Sequence, residues 1–215
     1  LHILPHWTWP GREGEVTPVF VYSDYPTVEL FINGVSQGKR TKDLTVKIDD
    51  TENDESRKAL ARQQRYRHMW MDTKYEPGTL RAVAYDADGN ACMETEVQTA
   101  GKPYAIELVA EENRPLAAGT EDLAYVTVRI VDKQGRLCPD AQNQVRFTVK
   151  GAGHYRAGAN GDPTNLELFH EPQMHVFNGM MTAIVGEQGK AGEITLTAKA
   201  KGLKSDKITI QVTEE

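Results

Sequence analysis

The pattern that most invites covalent chemistry is Gly34-Val35-Ser36-Gln37-Gly38, which carries the glycine spacing of a nucleophile elbow. An elbow needs a strand-to-helix turn that lifts the serine hydroxyl clear of a sheet. Here the pentapeptide follows Asn33 on the second arm of an expected hairpin, and Lys39-Arg40-Thr41 stands where an apolar helix should begin. A hairpin rich in small residues is the expectation. His2 and His6 are four apart, and His170 and His175 flank Pro172. Neither pair has a third ligand at a recognisable metal spacing, so loop or packing roles are expected for all four. Asp50, Glu52 and Asp54 copy positions 1, 3 and 5 of a calcium loop, but the glycine of position 6 is missing and Ala61 replaces the closing glutamate. A solvated helix start is the better reading. Gly151-Ala152-Gly153 opens no helix, which argues against a phosphate cradle. Cys92 and Cys138 fall in different halves with no CxxC spacing, so neither a disulfide nor structural zinc is expected. The 31 acidic residues lie mostly beside Thr and Lys on expected wet strand faces, and no two are marked as a general acid and base. No catalytic residue, metal or cofactor is expected within this chain.

The remaining chemistry is aromatic. Residues 1–15 read LHILPHWTWPGREGE, and they hold two of the three tryptophans, Trp7 and Trp9. The stretch has neither an initiator Met nor a targeting segment and resembles the middle of a buried strand, so the chain is expected to be part of a longer protein. Trp7, Trp9, Tyr22, Tyr25 and Trp70 together offer a platform on which the CH faces of sugars could stack. The alternative is that these rings fill a core or an interdomain seam. Both readings stand at this point.

The elements that would position these residues are strands. Hydrophobic content is 39%, with 18 Gly and 10 Pro, a composition that suits short strands and many turns. The formal charge of −6 excludes a basic track for nucleic-acid phosphates, and no apolar run approaches the ~20 residues that span a bilayer. The dominant hydrophobic period is two. Val28, Leu30 and Ile32 alternate with Glu29 and Phe31 and lead into the turn Asn33-Gly34. Leu80, Ala82 and Ala84 precede the turn Asp86 to Asn90 and a return strand through Met93 and Val97. The same alternation runs through Val126-Val128-Ile130, Val145-Phe147-Val149, Ile194-Leu196-Ala198 and Ile208-Ile210-Val212. The fold class is therefore all-β: two immunoglobulin-like antiparallel β-sandwich domains in tandem, of about 100 residues each. Thr99-Ala100-Gly101-Lys102-Pro103 marks the boundary, giving domains 1–102 and 103–215. Asp49 to Gln64 breaks the pattern with acids first and bases later, which predicts a short helix over Ser56 to Gln64 inserted in the first domain.

The strings HILPHWTWPGREGE, VELFINGVSQGKR and YEPGTLRAVAYDADG resemble the domain that follows the catalytic barrel in bacterial glycoside hydrolase family 2 β-galactosidases. AYVTVRIVDKQG, VRFTVKGAG, NGDPT, VFNG and AGEITLTAKAKGLKS resemble the terminal, invasin-like immunoglobulin-like domain of those enzymes. The resemblance covers nearly the whole chain in the right order. It implies a parent that hydrolyses terminal β-galactosides with retention, using two Glu that both belong to the barrel. It also implies that His6, Trp7 and Trp9 lie near the junction with that barrel, as substrate-binding or interface residues. The barrel is then the expected partner, carbohydrate a second one, and the parent is expected to be periplasmic or secreted. Family 2 also holds β-glucuronidases and β-mannosidases. The competing readings are a carbohydrate-binding module built on Trp7, Trp9 and Trp70, and an adhesin-like spacer.

Overall fold

The structure, a computed structural model, describes residues 1–43, 45, 51 and 54–214. The chain divides into two compact units, Leu1–Thr99 and Ala100–Glu215. Gly101 packs with the second unit: its N–H donates to Asp132 Oδ2 at 2.8 Å and its carbonyl lies 3.5 Å from Cys138 Sγ.

The first unit holds β1 (His2–Leu4), β2 (Val19–Tyr22), β3 (Thr27–Ile32), β4 (Val35–Thr41), α1 (Glu55–Tyr66), β5 (Arg67–Trp70), β6 (Thr79–Tyr85) and β7 (Ala91–Gln98). One sheet has the order β1-β2-β5 and the other β4-β3-β6-β7, all antiparallel. Alternation decides which side chains meet between them. Ile3, Val19, Val21 and Trp70 from the first sheet and Val28, Leu30, Leu80 and Ala82 from the second form one buried cluster. The β3–β4 hairpin turns at Asn33 and Gly34 with φ of 49° and 83°, the left-handed pair that Asn-Gly adopts most readily. α1, Glu55–Tyr66, runs slightly longer than the expected Ser56 to Gln64. Asp54 caps it, accepting from the N–H groups of Ser56 and Arg57. It buries no residue. The helix is held by its cap and charges rather than by a core, as a polar insertion should be.

The second unit holds β8 (Ala105–Ala110), β9 (Leu116–Ala117), β10 (Leu123–Val131), β11 (Gln144–Gly151), β12 (Gly153–Ala159), β13 (Gln173–His175), β14 (Met180–Glu187), β15 (Gly192–Ala200) and β16 (Asp206–Thr213). Its sheets run β12-β14-β10-β8 and β13-β11-β15-β16-β9. Val126, Val128, Ile130 and Ala183 face Val145, Phe147, Ile194 and Leu196 across a single core. Both units are thus β-sandwiches, as the period-two pattern predicts. Two pairings depart from the antiparallel rule: the two-residue β9 lies parallel to β16 at the sheet edge, and Ala105 bridges Lys204 in parallel. The Gly151-Ala152-Gly153 stretch is the corner at which the chain leaves one sheet for the other. A Cβ on Gly151 would lie 1.9 Å from the Glu193 carbonyl oxygen, and one on Gly153 2.6 Å from the Gly186 carbonyl oxygen. These glycines are needed because backbone approaches backbone, not because a phosphate is cradled. No helix among the described residues is long and apolar enough to cross a membrane.

Candidate functional site

The aromatic start of the chain separates into a buried part and a surface part. Trp7 has no exposed surface. Its indole N–H donates to the Glu76 carbonyl at 2.9 Å, its ring meets Tyr75 edge-on at 5.2 Å, and its own carbonyl accepts from Thr99 Oγ1 at 2.6 Å. Trp70 is buried as well, with its N–H shared between the carbonyls of Gln37 and Gly38 at 3.1 and 3.2 Å. Neither ring has a face left for a ligand. A platform of all five rings is therefore not what the fold builds: alternation along β5 turns Trp70 inward, and the irregular chain beyond β1 sends Trp7 into the same core with Ile3 and Val19.

Trp9 is the ring that reaches the surface. It is half-buried, its N–H donates to the His6 carbonyl at 3.0 Å, and the exposed His6 ring stacks on it with centroids 4.1 Å apart. The Arg12 guanidinium lies 5.3 Å from the Trp9 ring and pairs with Glu15 at 2.8 Å. Of the three residues singled out in sequence, His6 and Trp9 stand together at the surface and Trp7 lies beneath.

The outer face of the β1-β2-β5 sheet carries a signal that a residue-by-residue reading missed. Register places Leu4, Phe20 and Met69 in one cross-strand row and His2, Tyr22 and Arg67 in the next. Leu4 and Tyr22 are exposed. Arg67 lies 4.9 Å from the Phe20 ring and donates to Tyr22 Oη at 2.9 Å. The other sheet of the same unit shows what an ordinary wet face looks like. There Arg81 pairs with Glu94 at 3.0 Å, Thr27 with Thr41 at 2.9 Å, and Glu29 accepts from Ser36 Oγ at 2.6 Å and Tyr85 Oη at 2.9 Å. Ser36 thus lies on a hairpin arm, bonded across to Glu29, and not at the strand-to-helix turn that a nucleophile elbow requires.

Acid–base chemistry on a glycoside needs one carboxyl held protonated near neutral pH. Every described carboxyl with a perturbed pKa is shifted the other way. The Ser36 hydroxyl lowers Glu29, and the Arg114 guanidinium brings Asp122 down to about 2. Backbone N–H groups of Gly119, Gly189 and Glu121 lower Glu187. Burial pushes Asp132 and Glu167 upward, but N–H donors from Gly101, Arg136 and Gln134, and from His175, outweigh it. These carboxylates are acceptors that close turns. A concavity of about 390 Å³ in the second unit is lined by Asp122, His154, Arg156 and Glu187, and its carboxylates are already engaged in this way.

His68 was not singled out in sequence, although its place in the alternation with Trp70 is an inward one. It is buried, with Nε2 3.0 Å from the Pro26 carbonyl and Nδ1 3.4 Å from that of Val21. Burial lowers its pKa, and the two carbonyls only partly offset this. His175 pairs with Glu167 at 3.0 Å. No three His, Cys, Asp or Glu side chains among the described residues come together as a metal-binding group. Asp50 and Glu52 of the calcium-like run lie outside the described residues. Cys92 is exposed in the first unit and Cys138 buried in the second, its thiol pushed up to about 11 by burial.

Comparison with known proteins fits this frame. Residues 106–209 match the family described as glycoside hydrolase family 2 C-terminal domain 5, and residues 14–93 match DUF4982, a domain of unknown function. The whole chain aligns with β-galactosidase BoGH2A of Bacteroides ovatus at 36% identity, covering 22% of that protein. A β-glucuronidase of Formosa agariphila is 27% identical over 98% of the chain and 19% of its own length. Among solved structures, a β-glycosidase from Bacteroides vulgatus superposes with a TM-score of 0.83 at 28% identity, over 98% of this chain and 24% of that one. A glycosyl hydrolase family 2 member from Bacteroides cellulosilyticus gives 0.80 at 30% identity. The chain spans about a fifth to a quarter of the length of the relatives it matches. With residues 106–209 matching a C-terminal domain of that family and its full length aligned to part of a β-galactosidase, the chain is similar to the C-terminal domains of glycoside hydrolase family 2 enzymes.

Proposed function

We propose that the chain is the non-catalytic C-terminal segment of a retaining β-galactosidase, and that it braces the catalytic barrel and shapes access to it. The observation that carries this reading is the alignment of all 215 residues with BoGH2A at 36% identity. In this reading residues 1–102 follow the barrel and residues 103–215 form the invasin-like immunoglobulin-like domain beyond them. The barrel supplies both catalytic Glu, one to protonate the leaving oxygen and one to attack the anomeric carbon. The downward-shifted carboxylates described above support a division of labour in which this segment supplies none. Purified 215-residue chain should turn over neither a chromogenic β-galactoside nor a β-glucuronide, whereas the full product of the same reading frame should cleave the galactoside. Turnover by the short chain, abolished by changing one of its Glu, would remove the non-catalytic role. Preference of the full product for the glucuronide would remove the galactoside assignment.

The bracing surface in the first unit is assigned to the apolar row Leu4, Phe20 and Met69 of the β1-β2-β5 face and to the stacked His6 and Trp9. Apolar side chains in register on an outer face, beside a sheet whose outer face is ion-paired, support contact with another protein surface. A second reading is carbohydrate binding, favoured by the surface-reaching Trp9 with His6 stacked on it. Retention of the chain on immobilised galactan, lost in Trp9→Ala, would favour sugar over protein contact.

A further inference from the structure

We propose that residues 160–172 of the second unit form a preformed docking loop that seats against the catalytic part of the same polypeptide, an inference that rests on the reading that such a part exists. The loop joins β12 to β13 and displays three large apolar side chains to solvent. Leu166 is 94% exposed, and Leu168 and Phe169 are each 59% exposed. Scattered apolar residues on a surface need no explanation, but three within four positions on one loop do.

The loop is built to hold them there. Asn160 Oδ1 accepts from the Asp162 N–H at 3.0 Å while its Nδ2 donates to the His175 carbonyl at 3.0 Å. Asp162 Oδ1 accepts from both the N–H and the hydroxyl of Thr164, at 2.8 and 2.7 Å. Asn165 Oδ1 takes the Glu167 N–H at 3.1 Å. Both oxygens of Glu167 close on His175, at its N–H and its ring, at 2.9 and 3.0 Å. The Phe169 carbonyl is tied to the Gly158 N–H at 2.8 Å, and that of Pro172 to the Phe147 N–H at 2.8 Å. The segment from Asn160 to Thr164, with these side-chain-to-backbone bonds, is the first part of this scaffold. Ordering cost is met before any partner arrives, which is the condition under which a small apolar surface binds usefully.

The chemistry selects the occupant. Two of the three displayed side chains are leucines, which give a sugar no flat face to stack on. Asp162, Glu167 and Glu171 fringe the loop of a chain that already carries −6. A two-fold pairing of copies would set these acids against their own images. The matched relatives hold about four-fifths of their length outside the aligned segment, so a large surface of the same polypeptide is the partner at hand.

Hydroxyl-radical footprinting of the 215-residue chain and of the full product of its reading frame tests this. Leu166, Leu168 and Phe169 should be oxidised several-fold less in the full product. The double variant Leu166→Asp/Phe169→Asp should leave the urea midpoint of the short chain unchanged, since both side chains are exposed, but should speed proteolytic release of the segment from the full product. Equal oxidation in both forms overturns the proposal. So does protection of the short chain that grows with its concentration, which would mean a second copy, or protection that requires added galacto-oligosaccharide. A full product that cleaves galactosides yet leaves the loop oxidised defeats the loop alone. A reading frame without a barrel defeats the broader reading as well.

Discussion

Trp7 and His68 show how the same inward position can stabilise in two ways. Trp7 joins the first and last segments of its unit through Glu76, Tyr75 and Thr99. Trp7→Ala should therefore cost about 3–5 kcal/mol of stability in the first unit, the range for emptying a large buried ring site. Trp7→Phe keeps most of the apolar fill but leaves the Glu76 carbonyl without its donor, and should cost about 1–3 kcal/mol. Urea unfolding followed by tryptophan fluorescence reads both, and an unshifted unfolding midpoint in Trp7→Ala would refute the packing described. His68 adds a pH dependence. Its folded pKa is lowered below the ordinary 6.5 by burial, with the Pro26 and Val21 carbonyls opposing. The unfolded chain therefore takes up the proton first. The stability contributed by the neutral ring is fully present above the unfolded pKa and is lost as pH falls through the folded one. The first unit should lose stability on acidification below about pH 6.5, and His68→Gln should flatten that slope. An unchanged slope in the variant would assign the effect to other groups.

At the scale of elements, strands were legible and their irregular joints were not. Val126-Val128-Ile130 and Ile194-Leu196-Ala198 are buried where alternation put them, because a strand has only two faces and one must meet the core. Joints depend on what the chain approaches after folding. Nothing in Gly151-Ala152-Gly153 names Glu193 or Gly186 as the backbone it will touch. Gly151, at φ 95°, should not tolerate a side chain: Gly151→Ala is expected to lower the melting temperature of the second unit markedly, while Gly161→Ala, at φ 77° but in open space, should cost about 1 kcal/mol. Differential scanning calorimetry of the two variants checks the contrast. α1 is the opposite case, readable from its charges yet unsupported by packing. It should exchange its amide hydrogens far faster than β6, and Asp54→Ala should loosen the helix without moving the unfolding midpoint of the unit.

At the scale of the whole molecule, each unit has a buried cluster of its own, one spanning Ile3 to Ala84 and the other Ile106 to Val212. Residues 1–99 and 100–215, expressed separately, should each unfold cooperatively, with dispersed amide spectra. A half that stays unstructured would mean that its core is completed by the other. The all-β class, the two-sandwich plan, the place of the helix and the resemblance to family 2 were all determined by the sequence by itself, since period two, turn residues and string order survive without coordinates. The tertiary structure alone decided which aromatics are surface. Trp7 and Trp9 are two apart and should share a face on a strand, but β1 ends at Leu4 and the irregular chain beyond it sends one ring into the core and leaves the other beneath His6. It also decided that Leu4, Phe20 and Met69 form a row, and that Leu166 and Phe169 stand exposed on a braced loop. Register and solvent exposure arise from pairings between distant segments, and local sequence does not encode them one residue at a time.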